Sequence, residues 1–381
     1  MRAWRDDVLR PGRLVALALL IGLVAGAVVN REWLAAQGRA AIVLAAVADA
    51  AVLTDAAELL TREPSEQEVR IFGVPTTVFR PGGDGPWPAV VFVNGVTRRG
   101  RHHPTVRRLA EAFARSGYLM LVPDPPGLAS GELTATTAEA VVTVAEAASR
   151  LPDAAGARVG FVGVSAGGSL ALLAAARPSL CRRVTVVAAV APYTDLVDIV
   201  RLATTGYHVE RGRLVRYRVE PFVGLVAARS LATALPEGPD RRTLLARLRA
   251  VDDDDPAPFA HLGRARSPAG RALLAVLGNR DPRRFRTLFA ALPARVRTAA
   301  RRLSPIREGS GVCARVELVS APRDKYFPPA ESRAFTRAAR DARLTISSTL
   351  QHADLELSLG QLADLARLDA FIVRSLRAAR E

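Results

Sequence analysis

Gly163-Val164-Ser165-Ala166-Gly167 sets a serine between two glycines in the pattern G-x-S-x-G. The apolar, β-like run Arg158-Val159-Gly160-Phe161-Val162 precedes it, and an alanine- and leucine-rich helical stretch, Ser169 to Arg177, follows. In that strand–turn–helix context the pattern reads as a nucleophile elbow, a strained corner that lifts the serine hydroxyl above a sheet. The flanking glycines lack the Cβ atoms that would collide in so tight a bend. The chemistry implied is acyl transfer with Ser165 as nucleophile.

A serine hydroxyl attacks poorly until a base takes its proton, and the base needs a third group to orient it. On a sheet that carries such an elbow the order is Ser, then Asp after a late strand, then His after the last strand. Of five histidines, only His352 follows the final predicted strand, in Leu350-Gln351-His352-Ala353-Asp354. Asp324, just past a strand ending at Val319, fills the acid position. Asp195 and Asp198 compete for that role because they follow the preceding strand, whereas Asp354 is too near His352 in sequence to orient it. The oxyanion needs two donors. The backbone N–H of Ala166 at a helix N-terminus is one, and Val96, in the loop Asn94-Gly95-Val96-Thr97, is the other. The basic run Arg98 to His103 reads either as a site for an anionic group or, more simply, as an exposed, solvated loop. A neutral imidazole must act as base, so activity is expected to fall as pH drops through about 6.5, the reference value for histidine.

These residues need elements to hold them. From Glu68 short β-like runs alternate with turn residues: Val69–Phe72 and Thr76–Phe79 as a hairpin pair, then Ala89–Val93 as a continuous apolar strand. Helices over about 104–116 and 134–150 alternate with strands at Tyr118–Val122, Arg158–Val162 and Val184–Ala191. This alternation predicts an α/β fold built on a doubly wound, mostly parallel sheet. From about Tyr193 to Gly311 only helix-like periodicity is found, which predicts an all-helical cap. Strand character returns at Ala314–Val319, so the cap enters before the strand that carries the acid. A helix at 329–340, a strand at Leu344–Thr349 and a helix at 361–379 follow. The organisation expected is an N-terminal segment 1–61, a core in two parts, 62–192 and 312–381, and the cap 193–311. Within the cap Leu274, Leu277, Phe285, Leu288 and Phe289 either pack on the core or line an acyl pocket, packing being the simpler role. Asp252 to Asp255 has no accompanying ligand spacing and reads as a solvated loop rather than a calcium site.

At these motifs the chain resembles an α/β-hydrolase, similar to the dienelactone hydrolase, carboxylesterase and prolyl oligopeptidase branches. The matching pieces are Val91-Phe92-Val93-Asn94-Gly95, Leu121 to Gly127, the elbow at 163–168 and the acid turn Asp324–Pro328. The resemblance covers about residues 66–192 and 312–381. Leu303-Ser304-Pro305 resembles the return from cap to core in such hydrolases. Asn94 stands where histidine is common, and Ala321 where glycine usually precedes the acid. The resemblance implies a carboxylic ester hydrolase working through an acyl-enzyme on a small ester or acyl substrate, with no cofactor or metal. A peptidase or thioesterase on the same three residues is the alternative within enzymes. A non-catalytic, membrane-tethered binding protein is the alternative outside them.

Composition narrows the partners. Hydrophobic residues make up 49% of 381, enough for a large core. The net charge of +16 comes almost wholly from scattered arginine, Lys325 being the one lysine, and no nucleic-acid-binding motif accompanies it. Arg2, Arg5, Arg10 and Arg13 precede Leu14–Val29, an uncharged run about 24 Å long as a helix. It reads as an N-terminal hydrophobic helix: a membrane anchor with the catalytic domain outside the cytoplasm, or a signal cleaved after Ala25-Gly26-Ala27, or a buried helix. Ala40 to Leu60 is helical in pattern, and the sequence leaves open whether it packs on the first segment, the bilayer or the catalytic domain. Cys181 and Cys313 lie just before two strands that are neighbours in the family's usual sheet order. They are either two buried thiols or, in an exported domain, a disulfide.

Overall fold

A computed structural model describes residues 31–48, 57–351, 354–355 and 362–381. The Leu14–Val29 segment and His352 lie outside the described residues. Eight strands form one sheet in the order β1-β2-β4-β3-β5-β6-β9-β10. They are β1 (Ser65–Ile71), β2 (Val74–Arg80), β3 (Trp87–Val93), β4 (Leu119–Pro123), β5 (Ala154–Val164), β6 (Val184–Val190), β9 (Arg315–Ser320) and β10 (Ala342–Ile346). β1 runs antiparallel to β2 and β2 antiparallel to β4; every other pairing is parallel.

The apolar strand runs are buried on both faces because helices cover each side. In β3, Val91 and Val93 join one core cluster with α3 (Ala135–Ala148) and α4 (Ala166–Ala175). Val90 and Phe92 point the other way, toward α2 (Pro104–Arg115) and the C-terminal helix α12 (Leu362–Ala378), the period-2 alternation of a strand.

The first described helix is α1 (Arg31–Val47), and over Ala40–Val47, its share of the 40–60 stretch, it packs on helices α2 and α12 of the main fold. Ala36, Ala40 and Val43, spaced four and three apart, form a buried stripe facing α2 and α12. Small side chains there let the helix approach closely. Its last turn is tied down by Arg108 Nε, which donates to the Ala46 carbonyl at 2.9 Å. Helix α1 is already formed at Arg31, nine residues ahead of the run at 40–60, and its first turn, Arg31 to Leu34, is exposed and so carries no buried stripe to read. No helix among the described residues is long and apolar enough to cross a membrane.

The cap is not all helical. Between α5 (Leu196–Thr205) and α6 (Pro221–Thr233) lies a two-stranded hairpin, β7 (Tyr207–Glu210) with β8 (Arg213–Arg216). Its strands are four residues long, β8 mostly exposed and β7 burying only His208, so they carry no apolar run for a sequence reading to find. Four further helices follow: α7 (Pro239–Ala250), α8 (Pro268–Leu277), α9 (Phe285–Ala290) and α10 (Ala294–Arg302). Leu277, Phe285 and Phe289 are buried in the main core cluster and Leu274 and Leu288 pack against it, as the packing reading expects. The cap closes at Ser304, whose hydroxyl accepts from Leu196 N–H at 3.0 Å and lies 3.2 Å from Asp195 Oδ1. Ile306 N–H donates to the Thr194 carbonyl, completing the junction. Cys181 and Cys313 are joined as a disulfide, with Cα atoms 5.1 Å apart.

Candidate active site

Ser165 sits where β5 stops and α4 starts. Its φ of 55° and ψ of −128° are unfavourable for a residue with a side chain, a strain of about 1–3 kcal/mol that the surroundings must hold. They do so by packing backbone on backbone. Ser165 N–H donates to the Val190 carbonyl of β6 at 2.8 Å. A Cβ on Gly167 would lie 2.1 Å from the Val93 carbonyl oxygen, and one on Gly163 would lie 2.5 Å from Gly168 Cα. Both glycines are therefore required by contact, as the motif predicted. Gly95 approaches the serine from β3: a Cβ there would lie 3.2 Å from Ser165 Cβ.

Ser165 opens into a cavity of about 280 Å³, with Gly95, Val96 and Ala166 in its wall. Ala166 is the first residue of α4, so its N–H belongs to the unpaired first turn, where the helix dipole favours negative charge. Asn94 is buried; its Nδ2 donates to the Gly95 carbonyl at 2.8 Å, while Oδ1 has no hydrogen-bond partner among the described residues. Phe222, Val223 and Val226 of α6, with Leu196 and Ile199 of α5, form the cap side of the cavity. None of these was singled out in the sequence, because an apolar helix stripe looks alike whether it faces a core or a cavity. Ala46 and Val47 at the end of α1 also line it.

Asp324 is 1% exposed in the turn after β9. Its Oδ1 accepts from the N–H groups of Tyr326 and Phe327 at 2.8 and 2.9 Å, which shapes the turn. The cap clamps that turn from outside. Tyr217 Oη donates to the Asp324 carbonyl at 2.7 Å and Glu220 N–H to the Lys325 carbonyl at 2.8 Å. Burial, with the Asp324 charge adding to it, pushes the Tyr217 hydroxyl up to about 12, so it stays a donor. Tyr326 and Phe327 line the same cavity as Ser165, which brings the acid turn to the serine's side of the sheet. His352 lies outside the described residues, so its position relative to Ser165 and Asp324 is not part of this geometry.

The competing carboxylates have other partners. Asp195 caps α5 by accepting from Val197 N–H at 2.9 Å. Asp198 pairs with Arg201 and accepts from Val209 N–H at 3.0 Å; burial raises its pKa. Glu331, in the first turn of α11 (Pro329–Ala338), accepts from Thr194 N–H at 2.6 Å and Asp195 N–H at 2.7 Å. It ties the loop after β6 to the helix after the acid turn, a role the sequence did not signal.

The basic run 98–103 is not simply a solvated loop. Arg101 is largely buried and pairs with Asp124, whose Oδ1 also accepts the Arg101 N–H at 2.9 Å. His103 caps α2, its Nδ1 accepting from Thr105 N–H at 3.3 Å. Asp253, from the four-carboxylate run, bridges Arg98 at 3.0 Å and Arg229 at 3.3 Å. Among the described residues no cluster of three or more His, Cys, Asp or Glu side chains is arranged to hold a metal ion.

A family model, X-Pro dipeptidyl-peptidase (S15 family), matches residues 73–244, less than half of the chain. No curated protein matched. Among solved structures the chain is similar to the acylaminoacyl peptidase of Pyrococcus horikoshii, at 15% identity and a TM-score of 0.45 over 77% of this chain and 39% of that one. It thus spans about two fifths of that peptidase. It is also similar to dienelactone hydrolase from Anabaena variabilis, at 16% identity and a TM-score of 0.42 over 82% of this chain and 99% of that one. Est1E from Butyrivibrio proteoclasticus shows 15% identity and a TM-score of 0.46 over the same shares, 82% and 99%. Taking the sheet order, the strained serine between β5 and α4 and the matched stretch together, the chain has the α/β-hydrolase fold.

Proposed function

We propose that the protein is a carboxylesterase in which Ser165, His352 and Asp324 form the catalytic triad. The observation that carries this reading is the placement of Ser165, at positive φ, in the wall of an apolar cavity beside a helix N-terminus. Ser165 Oγ attacks the ester carbonyl while His352 takes its proton, and the N–H groups of Ala166 and Val96 hold the oxyanion. The tetrahedral adduct collapses to an acyl-serine, and His352 passes the proton to the departing alcohol. Water, deprotonated by the same imidazole, then releases the acid. Asp324 orients the imidazole from a buried turn that the two backbone bonds to its Oδ1 hold in shape. Labelling by a fluorophosphonate probe, lost in Ser165→Ala, tests the nucleophile. An unlabelled native protein would overturn it and leave the binding-protein alternative.

The S15 match favours a second reading, a peptidase on the same residues. A dipeptidyl-peptidase must hold its substrate's terminal ammonium; the carboxylates of Glu132, Glu220, Asp253 and Asp254 line a groove that adjoins the serine's cavity. Parallel panels of esters, thioesters and X-Pro amides separate the readings by relative kcat/KM.

We further propose that the Leu14–Val29 run anchors the chain with its catalytic domain outside the cytoplasm. The Cys181–Cys313 disulfide supports an oxidising compartment. Protease added to spheroplasts should degrade the catalytic domain; full protection would refute the orientation.

A further inference from the structure

The serine's cavity does not end at α1. A second cavity of about 90 Å³ adjoins it, between the sheet and helices α1, α2 and α12. The two share Val47, Leu109 and Val164 in their walls, and Val164 is the residue next to the nucleophile. Val43, Phe113, Val319 and Ile372 are among the residues that line the inner space. Ser375 is the one polar residue there among the described ones, and its hydroxyl is already given to the Phe371 carbonyl at 2.8 Å. A peptide entering this space would strand its amide groups without partners, at a cost of about 1–3 kcal/mol each. An alkyl chain loses nothing and sheds water.

The opposite side of the serine has contrary chemistry. A groove of about 810 Å³ shares Val96, Thr97, Phe222 and Tyr326 with the serine's cavity and carries the exposed Arg98, Arg99 and Arg249. The order of events assigns the two sides. The alcohol must depart to solvent before hydrolysis, while the acyl group stays bonded to Ser165, so the polar groove suits the alcohol and the apolar space suits the acyl tail.

We infer that the substrate is an ester of a straight-chain fatty acid, whose tail passes Val47, Leu109 and Val164 into the space beneath α1. This rests on the carboxylesterase reading. It gives α1 a function besides packing, as one wall of the acyl-chain site.

The test is kcat/KM of the full chain for p-nitrophenyl esters from acetate to dodecanoate, each below its micelle concentration. Each methylene that enters the apolar space should raise kcat/KM about fourfold until it is filled, after which the profile levels. Acetate turned over with no gain along the series would overturn the fatty-acyl assignment and leave the esterase intact. No ester turned over at all would overturn both. A gain that appears only when the alcohol is lengthened, with acetate as the acyl group, would reverse the two sides and so refute the assignment. Val43→Trp, which fills the inner space alone, should cut the decanoate-to-acetate ratio at least tenfold; an unchanged ratio in a folded variant counts against the tail path. Should that variant not fold, the native chain-length profile decides.

Discussion

Glu331→Gln should flatten a pH dependence of stability that one buried carboxyl imposes. Glu331 is 5% exposed and holds two backbone N–H groups of the loop after β6. Burial, then the nearby charge of Asp198, pushes its pKa from 4.5 up to about 8. Between those values the native state keeps a proton that the unfolded chain has released. Stability therefore falls as pH rises, by about 1.4 kcal/mol per unit. The contribution is whole below the unfolded value and is lost as pH climbs through about 8. The total is on the order of 3–5 kcal/mol, a large share of the roughly 5–15 kcal/mol that holds a typical protein folded. Glutamine keeps an oxygen for both N–H groups and cannot ionise. Urea unfolding followed by tryptophan fluorescence, from about pH 5 to about pH 9, should show the variant gaining on the native protein at each step. The other titrating groups cancel in that difference. Two curves that stay parallel over the whole range would refute a protonated Glu331 in the fold.

The remaining predictions concern the site and its supports. Asp324→Asn should lower kcat by about 10⁴-fold while leaving fluorophosphonate access to Ser165, read by labelling against steady-state kinetics. Gly167→Ala should yield little folded protein, because its Cβ would meet the Val93 carbonyl oxygen at 2.1 Å; a normal melting curve would contradict the crowded corner. Cys181→Ser should lower stability by up to about 5 kcal/mol, the chain-entropy value for a loop of 132 residues. Dithiothreitol should reproduce that loss in the native protein and leave the variant unaffected.

Much of the core could be read from residue order, for definite reasons. The run from Ala89 to Val93 is apolar at every position, and a strand buried on both faces has no other way to look. The elbow was legible because its two glycines answer to a backbone contact that any larger residue would break. The β7–β8 hairpin was not, since Tyr207–Glu210 and Arg213–Arg216 show neither an apolar run nor a strict alternation. Arg101 looked like one of several loop arginines; its partner Asp124 is 23 residues away, across a strand and a helix. Glu331 sits in an ordinary amphipathic helix, and only the loop folded over it makes it a buried acid. The cavity's cap wall stayed hidden for a related reason. Phe222 and Val226 are apolar in either role, and which one they play depends on what faces them across space.

The Cys181–Cys313 bond has a topological consequence. It closes a ring of chain that contains β6 and every helix of the cap. A protease that nicks a cap loop therefore cannot release either piece: the two polypeptides stay one covalent molecule, parting on a gel only after reduction. An enzyme cut there would keep its serine and its acid turn on separate chains that are still stapled together at the foot of adjacent strands.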